Sequence, residues 1–309
     1  MIDKRIVFIL GAGASKPFEY PVGTELRVRI CDNINKGELA AALGDREEDV
    51  GLYLNTVKEF RDSFFKSGKL SIDAFLEHRS EYMSVGKMAI AQALIPYEIE
   101  RNLFLIKENW YMYLYSQYLN APFEKFNENK ISFITFNYDR SLEHFLFTSL
   151  KNSYTGKSDQ ECAVKIKSIP IIHLYGRLDP FTWEDSKYGH SYSHEQDARR
   201  RLRLRAAVKN ITLVPEGEDV TSRREFQEAY KLIEEAQEIF FLGFGFDSVN
   251  LSRLCIESMK GKRVEATSYG LPPTRKDFIQ QYFSDKSKTV IYLYDFDVIT
   301  FLKHRLSFS

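Results

Sequence analysis

An apolar run that ends in a glycine loop constrains the fold more than any other feature of the sequence. Residues 5–10 read RIVFIL, and GAGAS follows them at once. A continuous apolar run without polar alternation is typical of a parallel strand that is covered on both faces. Glycines directly after such a strand allow the backbone to turn sharply and to approach a ligand closely. The pattern therefore predicts a parallel α/β sheet with a ligand site at the end of its first strand.

Short apolar stretches recur along the chain and alternate with helical patterns of about ten residues. They lie at residues 130–136, 169–174, 211–214, 238–242, 263–267 and 289–294. Strands that alternate with helices in this way indicate βαβ units. We predict an α/β protein: a Rossmann-like parallel sheet with helices on both faces.

Residues 36–126 have a different character, with aromatic and apolar side chains at helical spacing and no strand that ends in glycine. We interpret this region as an inserted all-helical subdomain. Residues 1–35 and 127–309 then form the Rossmann-like domain. We expect the ligand site to lie in the cleft between the two parts.

Composition excludes several classes of protein. The 43 basic and 43 acidic side chains cancel, so no overall field attracts the chain to nucleic acid or to an anionic membrane. No apolar stretch approaches the roughly 20 residues that span a bilayer. Cys31, Cys162 and Cys255 are widely spaced, which argues against a disulfide framework and favours a reducing cytoplasm. Because the chain has no CxxC pair, we expect no zinc and no other metal.

Two polar side chains follow the stretch at residues 130–136. Asn137 and Asp139 stand in the sequence FNYD, just beyond the carboxyl end of the predicted strand. Open α/β sheets bind ligands at this end of their strands. An asparagine amide can hold a ribose hydroxyl or orient a water molecule. The alternative for Asp139 is a cap of the following helix.

His173 and a second glycine loop complete the candidate residues. His173 lies at the end of the stretch at residues 169–174 and is a candidate general base, the alternative being a structural histidine. Gly243 and Gly245 close the stretch at residues 238–242, and Asn250 follows early in the next helix. These glycines permit a close backbone approach to a ligand, although glycines also occur in plain tight turns.

A run of arginines is the one local charge anomaly. The alternatives are a solvated helix face paired with nearby acids and a contact to a partner, a ligand phosphate or nucleic acid. The run comprises Arg199, Arg200, Arg201, Arg203 and Arg205.

The sequence resembles the sirtuin-like (silent-information-regulator-like) superfamily in the order and spacing of four motifs. They are GAGAS, NYD, His173 with Gly176, and GFGFD. The resemblance implies that NAD is bound as substrate. It implies that the first loop cradles the pyrophosphate, that the asparagine and aspartate line the nicotinamide-ribose pocket, and that the histidine is the base. By this resemblance the roles fall on Gly11, Gly13 and Ser15 for the pyrophosphate and on Asn137, Asp139 and His173 for catalysis. From their places in the two glycine loops and the helix that follows, we also expect cofactor contacts from Ala12, Gly243, Gly245 and Asn250.

The sequence departs from the protein deacylases of this superfamily. Deacylases carry a small zinc domain shortly after the catalytic histidine, and this chain has no CxxC pairs to hold one. The sequence SIDAFL at residues 71–76 is instead similar to bacterial sirtuin-like defence proteins. We therefore expect an NAD⁺ glycohydrolase that yields nicotinamide and ADP-ribose. The alternatives are an NAD-dependent deacylase and a non-catalytic NAD or ADP-ribose sensor in a larger complex.

The same resemblance implies a setting in anti-phage defence by NAD depletion. We expect a homo-oligomer, with a partner protein or a phage-derived trigger controlling activity. Nucleic acid enters this picture only through a partner or through the arginines of residues 199–205. No membrane contact is expected.

Overall fold

A computed structural model describes residues 2–44, 50–194, 199–214 and 218–306. Its centre is a sheet of six strands in the order β3-β2-β1-β4-β5-β6, and every neighbouring pair is parallel. The strands are β1 (Ile6–Leu10), β2 (Ile131–Thr135), β3 (Ile171–His173), β4 (Glu238–Leu242), β5 (Arg263–Thr267) and β6 (Ile291–Tyr294). Together with the surrounding helices this confirms the predicted Rossmann-like α/β fold.

The two central strands explain why the apolar runs have no alternation. Every residue of β1 and of β4 is buried, because helices cover both faces of the sheet. The Phe8 ring lies 5.6 Å from the rings of both Phe133 and Phe240, its counterparts on the flanking strands. The core is therefore continuous across the middle of the sheet.

Every element between β1 and β2 is helical in the residues described there, 11–44 and 50–130. The α-helices from β1 to β2 are α1 (Ala12–Ser15), α2 (Gly23–Asn33), α3 (Lys36–Leu43), α4 (Val50–Lys66), α5 (Ile72–Leu76), α6 (Met83–Leu94), α7 (Glu100–Phe104) and α8 (Trp110–Gln117). The helices after β2 are α9 (Ser141–Ser153), α10 (Asp159–Lys167), α11 (Arg200–Asn210), α12 (Arg224–Glu235), α13 (Ser248–Ser252), α14 (Pro273–Ser287) and α15 (Val298–Arg305). Among the described residues no helix combines the length and the apolar character that a membrane span requires.

The strand order reverses direction at β1, which positions the candidate site. The chain builds β2 and β3 on one side of β1 and then crosses to build β4, β5 and β6 on the other side. In open α/β sheets the crevice at such a switch point, at the carboxyl ends of the strands, is where ligands bind. Both glycine loops leave the sheet there, after β1 and after β4.

One predicted strand is wrong. Residues 211–214 form only an isolated antiparallel bridge, between Ile211 and Gly176, and do not join the sheet as a seventh strand. The bridge pairs them with the chain just beyond β3, where Thr212 N donates to the Tyr175 carbonyl at 2.8 Å. The apolar side chains of this segment are buried by that contact without a strand of their own.

Candidate functional site

The two glycine loops are packed directly on each other. A Cβ atom on Gly11 would lie 2.6 Å from the Gly243 carbonyl oxygen, and one on Gly13 would lie 2.8 Å from the same atom. Gly243 itself has φ +57°, and a Cβ there would lie 2.1 Å from Ala14 N. Because all of these obstacles are backbone atoms, they cannot move aside as a flexible side chain would. The loops therefore need glycine at all three positions.

Backbone hydrogen bonds join the same loops. Gly11 N donates to the Leu242 carbonyl at 3.1 Å, and Gly13 N donates to the Gly243 carbonyl at 2.9 Å. The Gly13 N–H is thus used within the protein. In contrast, a Cβ on Gly245 would meet no atom within 4 Å. Among the glycines of the two loops, Gly245 is the one whose backbone remains open to a ligand.

A cavity of about 650 Å³ lies over these loops at the carboxyl edge of the sheet. Its volume is within the range of small-molecule and cofactor sites. Seven of the ten candidate site residues line it, while Gly13, Gly243 and His173 lie outside its lining. The seven are Gly11, Ala12, Ser15, Asn137, Asp139, Gly245 and Asn250.

Asn137, Ser15 and Asp139 form one hydrogen-bonded chain across the cavity floor. Asn137 Nδ2 donates to the Gly11 carbonyl at 3.0 Å and to Ser15 Oγ at 3.1 Å. Ser15 Oγ in turn donates to Asp139 Oδ2 at 2.7 Å. These contacts orient the Asn137 amide, and its Oδ1 accepts no hydrogen bond within the described residues. That oxygen is available to a ligand hydroxyl or to a water molecule.

Asp139 is buried and fully hydrogen-bonded. Its Oδ1 accepts from the backbone N–H and from the hydroxyl of Ser141, at the start of α9. Burial raises the pKa of the Asp139 carboxyl, and the hydrogen bonds from Ser141 and Ser15 partly oppose that rise. Asp139 is not the N-cap of α9, which is Arg140, but it bonds to Ser141, the first residue of that helix, and also forms part of the cavity wall.

Polar side chains from three distant parts of the chain form a second hydrogen-bonded group at the cavity, which Tyr175, Asn250 and Glu77 line. Tyr175 OH donates to Asn250 Oδ1 at 2.6 Å and accepts from Arg253 at 2.7 Å. Arg253 also pairs with Glu77 of the helical insertion at 3.0 Å. The ring of Tyr175 packs edge-on against Phe136, 5.5 Å between centroids. Tyr175 thus joins an aromatic wall of the cavity to its polar rim.

The insertion also contributes Asp73. Ser71 caps α5 by accepting a hydrogen bond from Ala74 N at 3.2 Å, which orients this short helix at the cavity. Asp73 Oδ1 accepts a hydrogen bond from Tyr138 OH, between Asn137 and Asp139 in sequence. Asp73 and Glu77, one turn apart, both line the cavity. The cleft between insertion and sheet therefore has acidic groups on its insertion side.

His173 faces away from this cavity and lines a second one, of about 670 Å³, at the edge of the sheet. Its Nδ1 lies 2.8 Å from the Asn137 carbonyl oxygen, and its Nε2 lies 2.8 Å from Glu143 Oε1. Both ring nitrogens are thus engaged by oxygen atoms of the protein itself. Neither nitrogen is left to meet a substrate.

Glu143 is the group that holds the His173 ring in this orientation. Burial alone would raise the pKa of the Glu143 carboxyl, but the charge and hydrogen bond of His173 and the guanidinium of Arg177 outweigh it and lower that pKa to about 2. Arg177 lies 3.0 Å from Glu143 Oε1. His173, Glu143 and Arg177 therefore form a cluster that holds the Asn137 backbone on the side away from the cavity. A base role for His173 stays a prediction that this geometry does not favour.

Sequence reasoning missed three residues of the site: Asp73, Tyr138 and Tyr175. Tyr138 stands inside the NYD motif, and Tyr175 lies two residues after His173, so both are close to candidate residues in the sequence. Asp73 lies in SIDAFL, in a region without strand-end motifs. The one sequence signal that could have found it is a carboxylate in the first turn of a capped helix.

The arginines of residues 199–205 bond within the chain. Arg200 pairs with Glu38 at 2.7 Å, and Arg203 pairs with Glu98 at 2.6 Å. Arg201 and Arg205 donate to backbone carbonyls at the end of α3. The nucleic-acid contact considered for this run stays a prediction. Within the part of the chain that the structure describes, no group of three or more His, Cys, Asp or Glu side chains could hold a metal ion.

Comparisons with known proteins give little beyond this geometry. No family model matches the chain, and no curated protein matches it. A solved structure of Sir2Tm bound to a propionylated peptide is similar over 96% of this chain and 90% of that chain, with 15% identity and a TM-score of 0.39. A similarity at that TM-score carries no weight for the site, so the function of this chain has to be inferred from its own residues.

Proposed function

We propose that this protein is an NAD⁺ glycohydrolase that cleaves the bond between nicotinamide and ribose. The observation that carries the proposal is the cavity at the switch point of the sheet, between two glycine loops and an acidic wall. NAD⁺ has a pyrophosphate that suits exposed backbone at strand ends and a cationic nicotinamide that suits carboxylates. The order of the motifs in the sequence supports this dinucleotide over other ligands.

The charges of the cavity suit the transition state of this reaction. Its acidic side chains are Asp73, Glu77, Asp139 and Asp247, whereas Lys69 is the one basic side chain of the lining among the described residues. Loss of nicotinamide leaves positive charge on the ribose, and preorganised carboxylates stabilise such a charge where it develops. Since nicotinamide is already a cationic leaving group, the site needs no strong acid.

The residues divide into two groups in this proposal. The backbone at Ala12 and Gly245 approaches the pyrophosphate, whereas the Gly11 N–H and the Ser15 hydroxyl, already bonded to Leu242 and Asp139, shape the loop around it. Asn137 presents Oδ1 to a ribose hydroxyl or to the attacking water, because its Nδ2 is already held by Gly11 and Ser15. Orientation of this kind lowers the barrier by fixing the reactants in a productive geometry.

The test is to incubate the purified full chain with NAD⁺ and to quantify nicotinamide and ADP-ribose by chromatography. We expect both products in equal amounts without any acylated peptide. Asn137→Ala should lower the rate by at least about 10²-fold, the usual cost of losing one group that orients or stabilises the reacting centre.

Asn129→Ala is the matched control. Asn129 also forms two hydrogen bonds, with Ile2 N at 3.0 Å and the Phe126 carbonyl at 2.9 Å, but it lies at the opposite edge of the sheet. This variant should lose stability and keep its rate. Nicotinamide release that requires an acylated peptide would favour the deacylase alternative. Binding of NAD⁺ without any release would favour the sensor alternative.

A further inference from the structure

The proposed hydrolysis releases a proton, and the carboxylates of the cavity differ in their ability to accept it. Asp139 has both oxygens occupied by hydrogen bonds from Ser15 and Ser141. Glu77 pairs with Arg253 at 3.0 Å. Both groups are therefore already bound to partners within the protein that compete with a water molecule for them.

Asp247 is also occupied. Its Oδ1 accepts from Val249 N at 2.9 Å and from Asn250 N at 3.4 Å, so it caps α13 from an exposed position. His173 lies outside the cavity, and both of its ring nitrogens are engaged by the Asn137 carbonyl and by Glu143. Each of these groups therefore already has a structural role.

Asp73 differs from all of them. Its Oδ1 accepts from Tyr138 OH, while Oδ2 accepts no hydrogen bond from another residue in the described part of the chain. Within the same residues Asp73 also forms no ion pair. It is half-buried in the cavity wall and is carried by a helix whose start is fixed by the Ser71 cap. One oxygen is positioned by the protein and the other faces no competing donor.

We infer that Asp73 is the general base of the proposed hydrolysis and that Tyr138 positions it, an inference that rests on the proposed function. The oxygen of a water molecule bonds to C1′ of the ribose as the C1′–N bond breaks. The electron pair of that bond leaves with nicotinamide and neutralises its ring nitrogen. The proton of the attacking water passes to Asp73 Oδ2 and from there to solvent.

The electrostatics of the pair suit this role. Burial raises the pKa of the Asp73 carboxyl, and the hydrogen bond from Tyr138 opposes part of that rise. A carboxylate whose pKa is raised is a better proton acceptor near neutral pH. Burial, followed by the charge of Asp73, raises the pKa of the Tyr138 hydroxyl well above its usual value, so Tyr138 remains a donor.

The experiment compares the pH dependence of kcat/KM for nicotinamide release in the parent and in Asp73→Asn. A base must be deprotonated, so the parent should lose activity on the acid side as Asp73 takes up a proton. Asp73→Asn should be slower by about 10²–10⁴-fold and should lack that acid limb. NAD⁺ binding, measured by calorimetry, should persist in the variant.

Two further variants serve as comparisons. Asp62→Asn removes a carboxylate of α4 that pairs with Arg61 at the surface, and it should match the parent in rate and profile. Glu77→Gln changes the next carboxylate on the same side of α5 and should retain the acid limb whatever its rate. If the acid limb of the pH profile shifts or disappears in Asp73→Asn but not in these two variants, Asp73 is a base and not a carboxylate with a structural role alone.

Tyr138→Phe tests the Asp73–Tyr138 pair without removing the carboxylate. It replaces Asp73→Asn as the test if that variant does not fold. Loss of a hydrogen bond to the charged form raises the carboxyl pKa, so the acid limb should move to higher pH. An unmoved limb in Tyr138→Phe, or a parent-like limb in Asp73→Asn, would overturn the assignment of Asp73 alone. A parent that releases no nicotinamide at any pH would overturn the proposed function itself.

Discussion

At the scale of single residues, His173 and Tyr175 show how neighbours in sequence reach different cavities. β3 ends at His173, whose ring turns toward α9 and meets Glu143. Tyr175 lies beyond the strand end, where its hydroxyl reaches Asn250 at 2.6 Å on the far side of the switch point. The two side chains therefore serve different purposes. His173 supports the wall behind Asn137, and Tyr175 forms part of the wall itself.

This difference predicts the outcome of His173→Gln. Glutamine preserves a donor but cannot hold both the Asn137 carbonyl and the buried Glu143 carboxylate as the imidazole does, so the free energy of unfolding should fall by about 1–3 kcal/mol. The rate of nicotinamide release should stay within about tenfold of the parent, because the ring does not line the cavity. A general base would instead lose about 10²–10⁴-fold. Urea denaturation and product chromatography measure the two effects.

The pH dependence of that stability loss provides an internal control. The pKa of Glu143 is lowered in the folded chain to about 2. A lowered carboxyl pKa contributes stability that is complete above the unfolded value of about 4.3 and is lost as the pH falls through the folded value. The part of the difference that comes from Glu143 should therefore shrink as the pH falls below about 4.3. A difference that is unchanged in acid would show that Glu143 is not part of the effect.

At the scale of elements, the two glycine loops have different reasons for containing glycine. Gly11 leaves no room for a side chain because of the Gly243 backbone, 2.6 Å from its added Cβ. Gly245 has open space, and its backbone lies at the cavity surface. Phe246, next to it, is buried with φ 53°, a left-handed conformation that costs energy and that packing must hold in place. The second loop is thus positioned by its phenylalanines and not by its second glycine.

Alanine substitutions separate the two roles. Gly11→Ala should lower the free energy of unfolding by about 1–3 kcal/mol, the usual cost of overpacking, because the obstructing atoms are backbone. Gly245→Ala should change it by less than about 0.5 kcal/mol but raise the KM for NAD⁺ by narrowing the approach to the backbone. Denaturation curves and steady-state kinetics measure both. A parent-like KM in Gly245→Ala would show that the dinucleotide does not pass over this loop.

At the scale of the whole molecule, a buried ion cluster joins the helical insertion to the sheet. Glu98 follows α6 in the insertion and is fully buried, and it accepts from Arg140 at 2.8 Å and from Arg203 at 2.6 Å. Asp179, beyond β3, closes the ring with Arg140 at 2.6 Å and Arg203 at 2.7 Å. Arg140 directly follows Asp139, so the cluster holds the two walls of the cavity together.

Glu98→Gln should therefore have a large effect on stability. Removal of one partner from a buried ion group leaves uncompensated charge and costs about 3–5 kcal/mol. Glu100→Gln is the matched control, since Glu100 lies two residues away, is 59% exposed and pairs with His144 at 3.3 Å. The control should cost less than about 1 kcal/mol. Equal urea midpoints for the two variants would contradict the structural role of the cluster.

Much of the architecture follows from local sequence pattern alone. Uninterrupted apolar runs such as β1 and β4 can be satisfied only by burial on both faces, which implies a parallel sheet with helical layers. Asn137 and Asp139 come just after β2, and Asn250 stands in the first helix after β4, so the pattern places all three at the carboxyl edge of the sheet. The hydrophobic period of an element and the position of a residue within it can both be determined from the sequence.

Tertiary structure decided which side chains share a cavity. The pattern could not show that His173 turns toward Glu143, because that contact joins β3 to α9 across 30 residues. Nor could it show that Asp73 meets Tyr138, 65 residues away, because α5 has no strand-end signal. Such contacts depend on how helices of the insertion pack over the sheet edge. Local pattern specifies elements and their ends, whereas the direction and partners of each side chain are set by packing between distant segments.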